Sequence, residues 1–138
     1  MLTNKRQTAY KKGVDAEKVA ARYLEGQGYE ILQHRYKGKG GEIDLIALKG
    51  EDVVFVEVKA HADVDASLYA VTAQSRRRIE QAALQFISEH TRYNTFGMRF
   101  DVIVIPETLL KPSNRVNAHN LFDSEQVHHL DNAWFAGQ

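Results

Sequence analysis

Four charged residues stand inside two apolar stretches between positions 40 and 59, GGEIDLIALKGEDVVFVEVK: they are Glu42, Asp44, Glu57 and Lys59. In proteins, carboxylates bind hard divalent cations and transfer protons, and an ammonium group holds phosphate or stabilises a developing negative charge. The neighbours of these four residues are apolar, and burying a charge is unfavourable unless it is paired. The charges therefore require either partners or a chemical use.

The two stretches predict a β-hairpin whose turn brings the charges together. Gly50 at the first loop position favours a two-residue turn over Gly50 and Glu51. Counted from that turn, Asp44 lies opposite Glu57, and the outer acid of the first strand lies opposite Lys59. Side chains alternate along a strand, so all four charges are expected on one face. Directly opposed Cβ atoms are about 4.5–5.5 Å apart, which is close enough for two carboxylates to repel each other.

Alternation also divides the apolar residues of the hairpin between two faces. The charged face continues with Ile46, Leu48, Val53 and Phe55, and the opposite face carries Ile43, Leu45, Ala47, Val54, Val56 and Val58. Because both faces are apolar, we expect a buried central element covered by helices on each side.

Three interpretations of the opposed carboxylates remain open at this point. One carboxyl group keeps its proton because its pKa is raised, or Lys59 and Glu42 join a salt-bridge cluster with a structural role. In the third interpretation a divalent cation lies between Asp44 and Glu57, and Mg²⁺ or Mn²⁺ suits such oxygen ligands. Lys59 would then stand beside the metal, where it can hold a phosphate or orient the attacking water.

The rest of the chain predicts the elements that position this hairpin. Apolar periodicity indicates helices over residues 8–26 and 72–90, the second capped by Thr72, and strands over 29–36, 42–48, 53–59 and 98–105. Loops are expected over 37–41, 60–71 and 111–120, and a short amphipathic segment over 126–137. The order α-β-β-β-α-β plus a tail predicts an α/β fold with a mixed central sheet flanked by helices.

Length and composition are those of one domain. At 138 residues, with 43% apolar and 26% charged residues, the chain is expected to form one domain with its core over about 8–106 and an extension over about 107–138. The lack of cysteine fits a reducing cytoplasm, the start MLTNKRQTAYKKG is not a secretory signal, and no apolar run approaches the roughly 18 residues of a membrane span. The net charge is zero, but residues 1–40 hold nine Lys or Arg against four acids, which permits a basic face.

The strings GEIDLIA (41–47) and VFVEVK (54–59) resemble the PD-(D/E)XK nuclease motif. More narrowly, they resemble the YraN-type family of small bacterial nuclease-like proteins, which are related to archaeal Holliday-junction resolvases. The resemblance extends to GVDAEKVAA (13–21) and to the start of the second helix. It implies a restriction-endonuclease-like core and a metal-dependent endonuclease with Mg²⁺ or Mn²⁺ as cofactor. The alternative is a non-catalytic nucleic-acid-binding module that keeps the nuclease fold.

The resemblance also implies roles for individual residues. Asp44 and Glu57 would be metal ligands, helped by the Val58 carbonyl, and Lys59 would be the catalytic lysine. Glu17, on the inward edge of the first helix, would be an outer ligand, and Gly13 one turn earlier would let that helix approach closely.

Nucleic acid is the partner that the resemblance implies, above all DNA, including branched or flapped DNA. The residues expected to contact it are Lys37, Lys39, Gln74, Arg76 and Arg77. Because the resolvases act as dimers, the resemblance allows for a homodimer as well.

Candidates outside the hairpin have structural interpretations. Asp101 stands in an apolar strand with Arg99 on the same face, which favours an ion pair. The adjacent histidines His128 and His129 are expected at the surface, since neighbours on a helix point about 100° apart and cannot chelate together. The aromatic pair at 134–135 is expected to dock the tail on the core.

Overall fold

Two helices pack on opposite faces of one five-stranded sheet in the computed structural model, which describes residues 2–61, 72–110 and 126–137. The elements are α1 (Leu2–Gly26), β1 (Glu30–Lys37), β2 (Glu42–Lys49), β3 (Asp52–His61), α2 (Ala73–Glu89), β4 (Gly97–Pro106) and β5 (His128–Trp134), with short 3₁₀ helices at Thr91–Tyr93 and Glu107–Leu110. The strands lie in the sheet in chain order, and β3 and β4 run parallel while the other neighbours are antiparallel. No helix in the described ranges is long and apolar enough to cross a membrane.

The predicted α/β class is confirmed, as is the start of the second helix. The Ser75 amide donates a hydrogen bond of 3.1 Å to the Thr72 side-chain oxygen, so Thr72 caps α2 as its residue type predicts. The interior of the loop predicted over 60–71 lies outside the described residues, except that β3 continues to His61. The loop predicted over 111–120 lies outside them entirely.

The C-terminal tail forms a strand, so placing its histidines on a helix was wrong. β5 pairs antiparallel with β4, with Val102 opposite Leu130. Trp134 is 4% exposed and stacks on Phe100 with ring centroids 5.1 Å apart, so it docks the tail as predicted, whereas Phe135 is 63% exposed. The extension contributes an edge strand because β4 offers it a free edge, which is a long-range partner that no local pattern reveals.

The sheet separates two apolar cores, and each core is closed by one helix. On the α1 side, buried Ala16, Val19, Ala20 and Leu24 pack on Leu45, Ala47, Val54, Val56, Ile103 and Ile105. On the α2 side, buried Ile79, Ala82, Ala83 and Phe86 pack on Tyr36, Ile43, Ile46, Val53, Phe55, Phe100 and Val102. The prediction of a hairpin buried between helices is therefore confirmed, with β2 and β3 inside the sheet.

Glycine permits the turn between β1 and β2 to lie directly on α2. A Cβ atom added at Gly41 would stand 2.8 Å from the carbonyl oxygen and 2.9 Å from the Cβ of Arg78. The backbone amide of Lys39 donates a 2.8 Å hydrogen bond to Gln85, which ties the same turn to the helix. Gly13, by contrast, has nothing within 4 Å of an added Cβ among the described atoms, so its expected role in a close approach is wrong.

Replacing these two glycines by alanine is expected to have opposite effects. Gly41→Ala should lower the free energy of unfolding by about 1–3 kcal/mol, because its Cβ meets helix backbone that cannot move aside. Gly13→Ala should raise it by about 0.5–1 kcal/mol, since alanine is favoured over glycine within a helix. Urea unfolding followed by circular dichroism measures both, and an unchanged stability in Gly41→Ala would contradict the close contact.

Candidate active site

The register of the hairpin brings Asp44 and Glu57 together as the sequence predicts. The ladder between β2 and β3 pairs Lys49 with Asp52 and continues to Leu45 with Val56. Just beyond that pair, the Val58 amide donates a hydrogen bond of 2.8 Å to Asp44 Oδ2. The carboxyl groups of Asp44 and Glu57 are close enough for Glu57 to raise the pKa of Asp44.

The alternation of β2 side chains between the two sides of the sheet breaks at Asp44. This break corrects the prediction that regular alternation continues through the charged end of the hairpin. Ile43 lies in the core on the α2 side, whereas Leu45 lies in the core on the α1 side. The pairs between β1 and β2 on each side of this point place Arg35 opposite Asp44, and Arg35 has a left-handed backbone with φ of 49°. The register of β1 on β2 is regular at Arg35, since its one shift lies between Ile31 and Gln33. Asp44 can therefore reach groups on both layers.

Glu17 joins the site from α1, in the inward position expected for it. The residue is 9% exposed, and its carboxylate accepts a 2.7 Å hydrogen bond from Arg35 Nε. Its carboxyl group also lies near enough to Asp44 for Asp44 to contribute to raising the pKa of Glu17. Asp44 thus lies between two other acids, with Glu57 on one side and Glu17 of α1 on the other.

Lys59 lies at the open end of this cluster. Its Nζ atom is 3.8 Å from Glu57 Oε1, a loose ion pair whose side chains are 31% and 18% exposed. Glu42 is exposed to solvent. One ion pair in the cluster joins Lys59 to Glu57 and another joins Arg35 to Glu17, so both bases pair with acids other than Asp44.

The excess of negative charge in this cluster is reflected in the pKa values of Asp44 and Glu17. Burial, followed by repulsion from Glu57, raises the pKa of Asp44 to about 8, although the Val58 amide and Lys59 oppose the shift. Burial also raises the pKa of Glu17, against the effect of Arg35. At neutral pH the pair of Asp44 and Glu57 therefore retains a proton, which is the first of the three interpretations of the sequence.

The donor set fits a hard divalent cation, although its members do not yet converge on one point. Carboxylate oxygens are the preferred ligands of Mg²⁺ and Mn²⁺, and a cation would relieve the repulsion that a proton now relieves. Within the described ranges, however, no three His, Asp or Glu side chains are arranged to hold a metal. Arg35 occupies one oxygen of Glu17 in this arrangement. Asp44, Glu57 and the Val58 carbonyl would form the inner set, and Glu17 would complete it after losing Arg35.

The predicted nucleic-acid contacts lie around the turn and the first turns of α2. Lys37, Lys39, Gln74 and Arg77 are exposed, and the packing of Gly41 on α2 brings the two segments side by side. Arg76 differs, because it is half-buried with its guanidinium 5.7 Å from the centre of the Trp134 ring. Stacking on Trp134 gives Arg76 a structural contact that the sequence did not indicate.

Asp101 belongs to a second buried cluster, which shares no residue with the first. It is fully buried and accepts hydrogen bonds from Arg99 at 2.9 and 2.8 Å, as its strand position predicts. His129 Nε2 lies 2.6 Å from the same carboxylate, and the amide of Asn132 adds a further bond. Burial alone would raise the pKa of Asp101, but the bonds from His129 and Arg99 lower it.

The expectation that His129 is a surface residue is therefore wrong. Its ring bonds Asp101 through Nε2, and Nδ1 lies 3.0 Å from the hydroxyl of Tyr23 on α1. His128, the neighbouring residue, is exposed. Alternation along a strand explains why one histidine points inward and the next outward.

Replacing Asp44 or Asp101 by asparagine is expected to change the free energy of unfolding in opposite directions. The folded pKa of Asp44 is above its unfolded value, so wild-type stability falls as pH rises from about 4 to 8. Asp44→Asn removes this loss, and its gain over wild type should grow by about 1–3 kcal/mol between pH 5.5 and 8. Urea unfolding in EDTA measures the gain.

Asp101→Asn is the matched control. Its folded pKa is lowered, so the stability it contributes is present above about pH 4 and is lost only at lower pH. Its removal should cost about 3–5 kcal/mol and should be destabilising at both pH 5.5 and pH 8, because Arg99 loses its carboxylate partner. A loss of stability in Asp44→Asn at pH 8 would mean that the first cluster is a structural ion-pair network.

Known proteins are similar in sequence to most of this chain. The model of a family described as "Uncharacterised protein family UPF0102" matches residues 16–105. A UPF0102 protein of Rhodopseudomonas palustris is 47% identical over 97 residues, which cover 70% of this chain and 75% of the relative. UPF0102 proteins of Bradyrhizobium diazoefficiens and Mesorhizobium japonicum are 42% and 44% identical over 100 residues, 72% of this chain and 75% and 80% of each relative. The matched segment includes Glu17, Asp44, Glu57 and Lys59, and the chain belongs to the UPF0102 family.

Proposed function

We propose that this protein is a nuclease that hydrolyses phosphodiester bonds with Mg²⁺ or Mn²⁺ as cofactor. The observation that carries the proposal is the position of Asp44 between Glu57 and Glu17, with Lys59 Nζ 3.8 Å from Glu57 Oε1. A cation bound between these acids would relieve the repulsion that helps to raise the pKa of Asp44. The order of acid, acid and lysine along a buried hairpin also resembles the PD-(D/E)XK motif, which supports the same assignment and the narrower YraN-type relationship.

Each residue has a distinct part in the proposed chemistry. Asp44 and Glu57, with the Val58 carbonyl and Glu17, would hold the metal, whose role when bound is to activate water and neutralise phosphate charge. Hydrolysis joins the water oxygen to phosphorus and breaks the bond to the leaving oxygen, which takes up a proton. The ammonium group of Lys59 is near enough to the acids to stabilise the negative charge that develops on the phosphate.

DNA is the proposed substrate, including branched or flapped forms, and the cytoplasm the proposed location. The exposed side chains of Lys37, Lys39, Gln74 and Arg77 support a nucleic-acid partner, because cations that neutralise phosphates supply most of the affinity in such complexes. The resemblance to dimeric resolvases extends the proposal to a homodimer by analogy.

Cleavage of labelled linear, flapped and four-way DNA, with matching RNA substrates, in Mn²⁺ tests the activity. We expect wild type to cleave at least one substrate, and Asp44→Asn, Glu57→Gln and Lys59→Ala each to reduce the rate by about a hundredfold or more. Glu51→Gln removes an exposed acid from the turn at the other end of the hairpin and should cleave as wild type does.

Two results would count against the proposal. If no substrate is cut and calorimetry detects no Mn²⁺ binding, the metal-dependent nuclease is refuted. If DNA binding persists in EDTA and in Lys59→Ala without any cleavage, the protein is a non-catalytic nucleic-acid-binding module. Arg35 on Glu17 and the lack of a converged metal-ligand cluster among the described residues are the features that favour this second function.

We expect Lys37 and Lys39, at the turn between β1 and β2, to bind phosphate groups of DNA whatever its base sequence. Replacing both Lys37 and Lys39 by alanine should weaken binding to all DNA sequences alike and reduce the slope of log K against log salt by about 1 for each lost contact. Lys18 and Arg22, exposed on α1 in the opposite layer, provide the matched double variant. Equal losses in the two double variants would contradict a specific basic surface.

A further inference from the structure

Arg35 is held in a backbone conformation that residues with large side chains rarely adopt. Its φ of 49° is left-handed, and among the described residues only Asn132 shares a positive φ without being glycine. Asparagine tolerates this region and arginine does so much less well. Conformations of this kind persist only where the surrounding structure enforces them, and they cluster at functional sites.

The strained residue is the direct partner of the acid cluster. The register between β1 and β2 places Arg35 opposite Asp44, and its Nε atom lies 2.7 Å from Glu17 Oε2. The Glu17 side chain is 11% exposed, whereas that of Arg35 is 32% exposed. The guanidinium group of Arg35 therefore bonds Glu17, the acid that α1 contributes, while part of the arginine side chain is exposed to solvent.

Arg35 and a divalent cation both carry positive charge, so each opposes the other at the same carboxylate. The Arg35 Nε atom lies 2.7 Å from Glu17 Oε2, so a cation bound by Glu17 would stand close to the guanidinium and be repelled by it. Both are also attracted by the same negative charge, that of Glu17 with Asp44 beside it. Binding of one therefore opposes binding of the other.

We propose that Arg35 competes with the divalent cation for Glu17 and so sets the affinity of the metal site, an inference that rests on the proposed function. Without a cation, Arg35 pairs with Glu17 and offsets its negative charge beside Asp44. For the site to load, the arginine leaves Glu17 and turns toward solvent.

The released guanidinium has a natural new partner in a phosphate group. Its planar fork of N–H donors matches two phosphate oxygens, which a lysine cannot reproduce. A phosphate bound there draws Arg35 from Glu17, and a cation on Glu17 frees Arg35 for phosphate. The two ligands therefore favour each other's binding, as reciprocal coupling requires.

Calorimetric titration with Mn²⁺ at pH 8, without nucleic acid, tests the competition directly. Arg35→Asn removes the charge and keeps a residue that tolerates the left-handed backbone, so its Mn²⁺ Kd should fall at least about threefold below that of wild type. Arg35→Lys keeps the charge and should stay close to wild type, and so should Arg22→Asn, which removes an exposed charge from α1. Adding Glu17→Gln to Arg35→Asn should abolish the gain.

The possible outcomes separate this inference from the proposed function. If wild type binds Mn²⁺ and Arg35→Asn binds it no more tightly, the competition is refuted and the metal site stands. Binding by Arg35→Asn alone supports the competition, because the arginine then excludes the cation altogether. If neither protein binds Mn²⁺, both proposals fall. Should Arg35→Asn not fold by circular dichroism, Arg35→Gln removes the same charge at greater side-chain length and is judged by the same criteria.

Discussion

The repulsion between the carboxyl groups of Asp44 and Glu57 is the constraint on which the rest of this site depends. Two acids brought together by the pairing of β2 and β3 inside a covered sheet cannot both ionise without help. A proton supplies that help in the protein alone, and the amide of Val58 and the ammonium of Lys59 supply part of it. The arrangement costs stability, because a carboxyl group that keeps its proton in the folded state makes folding less favourable as the pH rises.

The architecture places this repulsion where a ligand can reach it. Covered by one helix on each face, the hairpin is rigid, and side-chain alternation breaks only near its charged end. There, α1 contributes Glu17 and β1 contributes Arg35, while the glycines between β1 and β2 allow the basic turn to lie on α2. Elements of both layers thus position the acids, and Lys59, partly exposed, lies beside Glu57.

The sequence predicts the hairpin register, the opposed acids, the cap at Thr72 and the two-layer cover, because each follows from local periodicity or turn chemistry. It does not predict the break at Asp44, since the left-handed Arg35 that accompanies it belongs to another strand. It also misses β5 and the inward His129, because both depend on pairing with β4 and on contacts with α1. Long-range pairing and bulges are what a local pattern does not contain.

The contrast between Asp44 and Asp101 shows which of the two clusters has a structural role. Asp101 receives bonds from Arg99, His129 and a backbone amide, so its charge is fully matched and its pKa is lowered. Asp44 is half-buried in the same sheet with one amide and two neighbouring acids, and its pKa is raised. Since the chain can satisfy a buried aspartate completely at one position, the incomplete satisfaction of the other is a property of that site. An acid left short of positive charge in this way is stabilised when a cation binds, and this difference supports a chemical role for Asp44 beyond a structural one.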